Sequence, residues 1–248
     1  MHHFFLNHPL DDAALAAPFE LTKKDYQHLF VLRLAAGEHF TLADGCGRVH
    51  LCEVVEASKN ALTVRCLETH AADTELACQL VLLQGLPKRD KLELIIQKSV
   101  ELGAAAIVPV KMARSNVKID EKKADRKAER LHEIAKSAAS QSKRGVIPAV
   151  RDVQTLRAAL DAVQDADIKL ICYEDETARG HLEGILPDLS SAKKIALLVG
   201  PEGGITPEEW QLARDAGFVS VSLGKRILRT ETAGLALLSY LMLHLEHA

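Results

Sequence analysis

The chain has 248 residues, 48% of them hydrophobic and 26% charged, with a mean hydropathy of 0.00. That is enough apolar material for one large domain or two smaller ones with real cores. No apolar run reaches the roughly 18–20 residues a membrane-spanning helix needs, and the start, MHHFFLNHPL, has no basic segment leading into an apolar one. Neither a membrane span nor a signal peptide is expected, and the cytoplasm is the expected compartment.

The five cysteines, Cys46, Cys52, Cys66, Cys78 and Cys172, are odd in number and form no C-x-x-C pair. They read as small buried hydrophobes in a reducing compartment rather than as disulfides or zinc ligands. The eleven histidines are scattered and no metal is expected. The net charge of −3 hides an uneven distribution: residues 1–80 carry −5, 81–151 carry +8 and 152–248 carry −6. The middle third is therefore a basic belt, either a phosphate-binding surface or a solvated helical face.

Residues 1 to about 75 read as β-rich. A short helix is expected in TKKDYQHLFVLRL, with Tyr26, Leu29, Phe30 and Leu34 on one face and Thr22 as its cap. The stretch HFTLADGCGRVHLCEVVEASKNALTVRCLE then alternates apolar and polar residues, with turns at Asp44-Gly45, Gly47 and Lys59-Asn60. The sum is a small barrel or sandwich.

From about residue 76 apolar strands alternate with helices, the pattern of a parallel sheet covered on both faces. The strand ELACQLVLLQGL precedes the helix PKRDKLELIIQKSVELG, with Pro87 near its first turn, Leu92, Ile95, Ile96 and Ser99 inward, and Gly103 just past its end. After the strand AAAIVPV comes a long basic helix whose inward stripe is Ala124, Ala128, Leu131, Ala135 and Ala138. The strands DIKLICYE and KKIALLVG, the helix TPEEWQLARDAG, the strand FVSVSLG and a last apolar helix complete the chain.

Two loops carry chemistry. In IALLVGPEGGITPEEW the Thr206-Pro207 pair with Glu209 spells a capping box, which explains the helix start. It does not explain GPEGG, where three glycines let a ligand approach the main chain at the carboxyl end of a buried strand. Neither the P-loop nor the dinucleotide fingerprint is present, so the loop suits a nucleoside-like cofactor held by backbone groups. In LGKRILRTETAGLALL, Ile227 and Leu228 are apolar within a loop, fit to flank a flat ligand such as a purine. Arg229, Thr230 and Glu231 follow, with Thr230 placed to cap the last helix.

These two stretches, with DKLELIIQKSVELG, ARS and SAASQSKR upstream and HLFVLRL and DGCGRV near the start, resemble the ribosomal RNA small subunit methyltransferase E family, of the SPOUT class. The resemblance covers nearly the whole chain. It implies an α/β fold: a PUA-like RNA-binding β-barrel over residues 1–75, and a SPOUT domain over 76–248 with a trefoil knot threaded through roughly residues 195–240. It implies S-adenosylmethionine as cofactor, cradled by Gly200, Gly203, Gly204, Leu223, Ile227 and Leu228. Tyr173, Glu174, Val199, Pro201, Gly224 and Thr230 complete that pocket. It also implies a homodimer; the stripe Leu235, Leu238, Leu241 and Leu245 suits either such an interface or the core.

The family's product is 3-methyluridine in 16S ribosomal RNA, a displacement at a sulfonium-activated methyl that requires no metal. The uridine N3 must lose its proton, so a cation near the uracil oxygens would help: Arg229 first, Arg144 second. The base is left open among Glu231, Glu202 and solvent, Glu202 reading equally as an organiser of loop amides. Arg33, Lys88, Arg89, Lys111, Arg114, Lys118, Lys143 and Arg144 are the expected RNA contacts. Lys122, Lys123, Arg126, Lys127 and Arg130 alternate with acids and read either as further RNA contacts or as a plain solvated face. His3 stands where many relatives carry arginine.

Overall fold

A computed structural model describes residues 1–7, 10–24, 26–116, 124–173, 189 and 191–247, apart from the side chain of His28. Lys118 and Glu174, together with Lys122 and Lys123, lie outside the described residues. The chain divides into two compact units, Met1–Glu75 with Ala139–Ile147, and Leu76–Ala138 with Pro148–Ala248.

The first unit is a five-stranded sheet built from β1 (His2–Phe5), β2 (Phe19–Thr22), β3 (His39–Ala43), β4 (Arg48–Ala57) and β5 (Ala61–Ala71), in the order β1-β3-β4-β5-β2. Two short helices, α1 (Asp12–Leu15) and α2 (Gln27–Val31), join it. Alternation in β4 and β5 sends Cys52, Val54, Leu62 and Val64 inward, where they pack with Phe40, Leu42, Leu21 and Leu29. Tyr26 and Leu34 are buried, but both lie outside α2, so the expected helical face is shorter than its pattern. Thr22, however, closes β2; α2 starts at Gln27, and its N-cap residue Tyr26 makes no side-chain cap bond. β1 and β2 carry no strong alternation of their own and are strands because β3 and β5 supply their hydrogen bonds.

Residues 139–147 belong to this unit because Glu75 captures them. Its carboxylate accepts the amides of Gly145 and Val146 at 3.0 and 3.3 Å and the Nε of Arg144 at 3.2 Å. The ring of His3 completes the arrangement: Nε2 donates to the Arg144 carbonyl at 3.0 Å and Nδ1 accepts from Thr41 at 2.8 Å. His3 is thus a buried strut, and its burial depresses its pKa. Arg144, read from the sequence as a catalytic or RNA-binding cation, is only 4% exposed and committed to Glu75.

The second unit is a seven-stranded parallel sheet: β6 (Gln79–Gly85), β7 (Ala104–Lys111), β8 (Ala149–Val150), β9 (Gln154–Thr155), β10 (Ile168–Cys172), β11 (Lys194–Val199) and β12 (Val219–Val221). The order is β12-β10-β11-β6-β7-β8, with β9 also on β7. The helices of this part of the chain are α3 (Lys91–Glu101), α4 (Ala124–Gln141), whose residues 139–141 count with the first unit, α5 (Leu156–Asp161), α6 (Pro207–Asp215) and α7 (Thr230–His247). Continuous apolar strands are what a sheet covered on both faces demands. Val81, Leu83, Ala196 and Leu198 pack with residues of α5 and α6. Alternation turns Leu80, Leu82, Ile195 and Leu197 to the other face, all of them fully buried, and α3 and α7 pack together there.

Gly103 ends α3 with φ +82°, as expected of a residue just past a helix. Pro87 stays in the loop before α3, which begins at Lys91. In α4 only Leu131, Ala135 and Ala138 of the expected stripe are buried; Ala124 and Ala128 are exposed, since the core ends before the helix does. Leu237, Leu238 and Leu241 of α7 are fully buried, whereas Leu235 and Leu245 are half-exposed. Among the described residues no helix is long and apolar enough to cross a membrane.

Candidate active site

Register decides where the site lies. Cys172 pairs with Val199 and Val221, and Val199 pairs with Gln84, so four adjacent parallel strands end in line. Ligand crevices of open α/β sheets form at such carboxyl edges. A cavity of about 770 Å³ occupies this one, lined by Tyr173 after β10, by Val199 to Ile205 after β11 and by Val221 to Thr230 after β12. Lys91 and Arg114, from the segments after β6 and β7, close it.

The glycine loop is held from several sides. The capping box forms, with Thr206 Oγ1 accepting from Glu209 and the Glu209 carboxylate accepting from the Thr206 amide. The other Glu209 oxygen accepts the Ala113 amide at 2.6 Å, and the Arg114 guanidinium donates to the Gly203 carbonyl at 3.0 Å. A Cβ on Gly203 would sit 2.7 Å from that of Arg114, and one on Gly85 would sit 2.6 Å from the Pro201 ring. Both glycines are required by close approach. Thr230, 6% exposed, donates to the Gly200 carbonyl at 2.6 Å and accepts from Gln84 Nε2 at 2.9 Å. Its hydroxyl thus ties the two signature loops together rather than capping α7.

The charges at this edge form a chain. Lys91 Nζ stands 3.1 Å from both Glu202 and Glu231. Glu202 also accepts the Lys88 amide at 3.1 and 3.2 Å. Burial alone would raise both carboxyl pKa values. Their own backbone amides and Lys91 outweigh it, joined by the Lys88 amide for Glu202 and by Arg229 for Glu231, and hold both below the ordinary range. The side chain of Arg229 is exposed at the rim and enters no ion pair among the described residues. Cys172 is pushed by burial up to about 12 and is no nucleophile. Tyr173 stacks on Trp210 at 5.5 Å between ring centroids, with Arg214 over the far ring at 5.4 Å.

The family model for an RNA methyltransferase domain matches residues 74–242, and that for an RNA methyltransferase PUA domain matches residues 21–67. Ribosomal RNA small subunit methyltransferase E of Bacillus subtilis (strain 168) is 37% identical over 243 residues, 96% of this chain and 95% of that protein.

The chain belongs to the ribosomal RNA small subunit methyltransferase E family.

It is a methyltransferase. The enzyme of that name from Neisseria gonorrhoeae, solved bound to S-adenosyl methionine, is 34% identical and superposes with a TM-score of 0.85, covering 98% of this chain and 97% of that one. A Legionella pneumophila protein solved in complex with the cofactor SAM is 30% identical, with a TM-score of 0.84 over 97% and 96%.

In this methyltransferase the cavity gathers Val199, Gly200, Pro201, Gly203, Gly204, Leu223, Gly224, Ile227, Leu228 and Thr230 from the two loops and Tyr173 from just after β10, with Glu202 and Arg229. Glu231 stands behind them on Lys91. The lining fits an adenosylmethionine-like group: its volume suits a ligand of that size, and Ile227 and Leu228 present apolar walls with amides that have no hydrogen-bond partner among the described residues. Lys91 and Gln84 were not legible as site residues. Arg114, expected at RNA, clamps the glycine loop. Lys88 and Arg89 before α3 and Lys111 at the end of β7 are exposed along the same edge, while Arg33 and Lys143 are exposed on the first unit with φ of 51° and 60°.

Proposed function

We propose that this methyltransferase transfers a methyl group from S-adenosylmethionine to N3 of a uridine in the 16S RNA of the small ribosomal subunit. One observation carries the reading. Two loops converge on a single cavity and place at its rim Arg229, which enters no ion pair among the described residues. S-adenosylmethionine, when bound, supplies a methyl carbon already activated by its sulfonium.

The chain must orient the uracil and stabilise the anion left when the N3 proton departs. Arg229 is the cation for that anion, a contribution of the kind that is worth about 10²–10³ in rate when a single donor is removed. Lys91 and backbone amides favour the ionised forms of Glu202 and Glu231. The proton passes to one of these carboxylates or to solvent, and Glu202 also serves the loop. Lys88, Arg89 and Lys111 contact phosphates as the uridine is turned out of its helix, a cost of a few kcal/mol. The unit of residues 1–75 acts as a PUA-like RNA-binding barrel and residues 76–248 as a SPOUT domain.

The chain path supports a trefoil knot. After β12, at the sheet edge beyond β10, the chain returns so that Thr230 meets Gly200 after β11 and Gln84 on β6. Half-exposed Leu235 and Leu245 with exposed Leu243 on α7 support a homodimer, and the reaction belongs in the cytoplasm, where ribosomes are assembled.

Arg229→Met tests the catalytic assignment. Calorimetry should give an S-adenosylmethionine affinity within about threefold of the unaltered enzyme, and transfer to small subunits should fall by about 10² or more. Equal loss of binding and transfer would make Arg229 a cofactor ligand instead.

A further inference from the structure

The ammonium of Lys91 is the one group among the described residues that bonds carboxylates from both signature loops. It projects from the first residue of α3, whose Leu92, Ile95 and Ile96 are buried in the core, so its root is fixed. Glu202 belongs to the glycine loop and is held a second time by the Lys88 amide. Glu231 follows Arg229 and Thr230 directly on α7. The side chains of Lys91, Glu202 and Glu231 are 29%, 25% and 16% exposed, against 67% for Arg130 in its surface pair with Glu93. Partial burial makes the three charges matter to one another in a way an exposed pair does not.

We propose that Lys91 is a positioning residue of the methyltransferase site, setting the spacing between the glycine loop and the Arg229 turn by holding Glu202 and Glu231 at once. Without the ammonium, the carboxylates of Glu202 and Glu231 lose the cation they share and repel each other, with Arg229 offsetting Glu231. The loops then part, and the cofactor loses one of its two walls. The inference rests on the cofactor reading given above, but its first readout does not depend on it.

The test uses the full chain and the variants Lys91→Met and Lys91→Arg, alone and with Glu202→Gln/Glu231→Gln. Hydrogen exchange of the ligand-free protein should rise in Lys91→Met over residues 199–205 and 224–233 together, with 80–83 and 195–198 still protected. S-adenosylmethionine affinity should fall about tenfold, and Lys91→Arg should recover it to within about threefold. In the Glu202→Gln/Glu231→Gln background Lys91→Met should cost less than about threefold, because no repelling charges remain. Should Lys91→Met not accumulate folded, the single carboxylate variants decide: each releases one loop, so Glu202→Gln raises exchange over 199–205 and Glu231→Gln over 224–233. Unchanged exchange and affinity in Lys91→Met, or an equal cost in both backgrounds, overturns the inference. If exchange rises as described while the unaltered protein binds no S-adenosylmethionine, the spacing role stands and the cofactor reading falls.

Discussion

The hydroxyl of Thr230 donates to the carbonyl oxygen of Gly200 at 2.6 Å, joining two loops thirty residues apart, while Gln84 Nε2 donates to the same hydroxyl at 2.9 Å. Removing it takes the donor from the buried Gly200 carbonyl and leaves Gln84 Nε2 with the Gly85 carbonyl alone, at 3.0 Å. Thr230→Val should therefore lower stability by about 1–3 kcal/mol and weaken cofactor binding, while Thr230→Ser keeps both. Thermal unfolding and calorimetry check this; a Thr230→Val protein as stable as its parent would remove the hydroxyl from the account.

Gly203 has no room for a side chain, since its Cβ would lie 2.7 Å from Arg114 Cβ and 3.2 Å from the Arg114 carbonyl oxygen. Gly203→Ala must push the loop into the cavity or away from Arg114. Cofactor affinity should drop about tenfold or more, a loss of about 1.4 kcal/mol. The chain's single tryptophan reports it, because Trp210 stacks on Tyr173 of the cavity wall. Titration should change Trp210 fluorescence in the parent protein and shift the curve to higher concentration in the variant.

Arg144 separates structure from catalysis. Its guanidinium is buried against Glu75, which also holds the Gly145 and Val146 amides. Arg144→Met leaves a partly buried carboxylate unpaired and should destabilise the protein by about 3 kcal/mol, with cofactor affinity unchanged within about twofold. Lost methyl transfer at unaltered stability would return Arg144 to the catalytic machinery.

What could be read in advance divides along sequence separation. The capping box of Thr206 and Glu209 spans three residues, and the strands of the parallel sheet announce themselves as apolar runs, so both were legible. So were the cavity loops, because three glycines and an apolar pair in connections need a reason that a turn does not supply. Lys91 was not legible, since a lysine at a helix start looks solvated until Glu231, 140 residues later, is folded against it. The pairing of Arg144 was not legible for the same reason: the motif QSKR shows a cation without showing that a distant Glu75 is folded against it. The stripe drawn through Ala124 and Ala128 extended a correct period past the edge of the core.

His3 makes stability depend on pH. Burial lowers its pKa from 6.5, and the charge of Lys143 acts the same way, against a raising bond to the Arg144 carbonyl. The unfolded chain therefore takes up the proton first. The stabilisation is complete above pH 6.5 and declines as pH falls toward the folded value. Buried His50 adds in the same direction, whereas Asp44, Glu202 and Glu231, depressed below ordinary carboxyl values, act at more acid pH. The unfolding midpoint should drop between pH 7 and pH 5, and His3→Gln should flatten part of that slope. A slope the variant leaves untouched would assign it elsewhere.

The most direct test of the central claim is methyl transfer itself. Purified protein, S-adenosylmethionine carrying a labelled methyl group, and small ribosomal subunits lacking the modification are incubated, and the RNA is digested to nucleosides for mass spectrometry. Label is expected in 3-methyluridine, and its loss in Arg229→Met. Label in any other nucleoside, or none from protein that binds the cofactor, would contradict it.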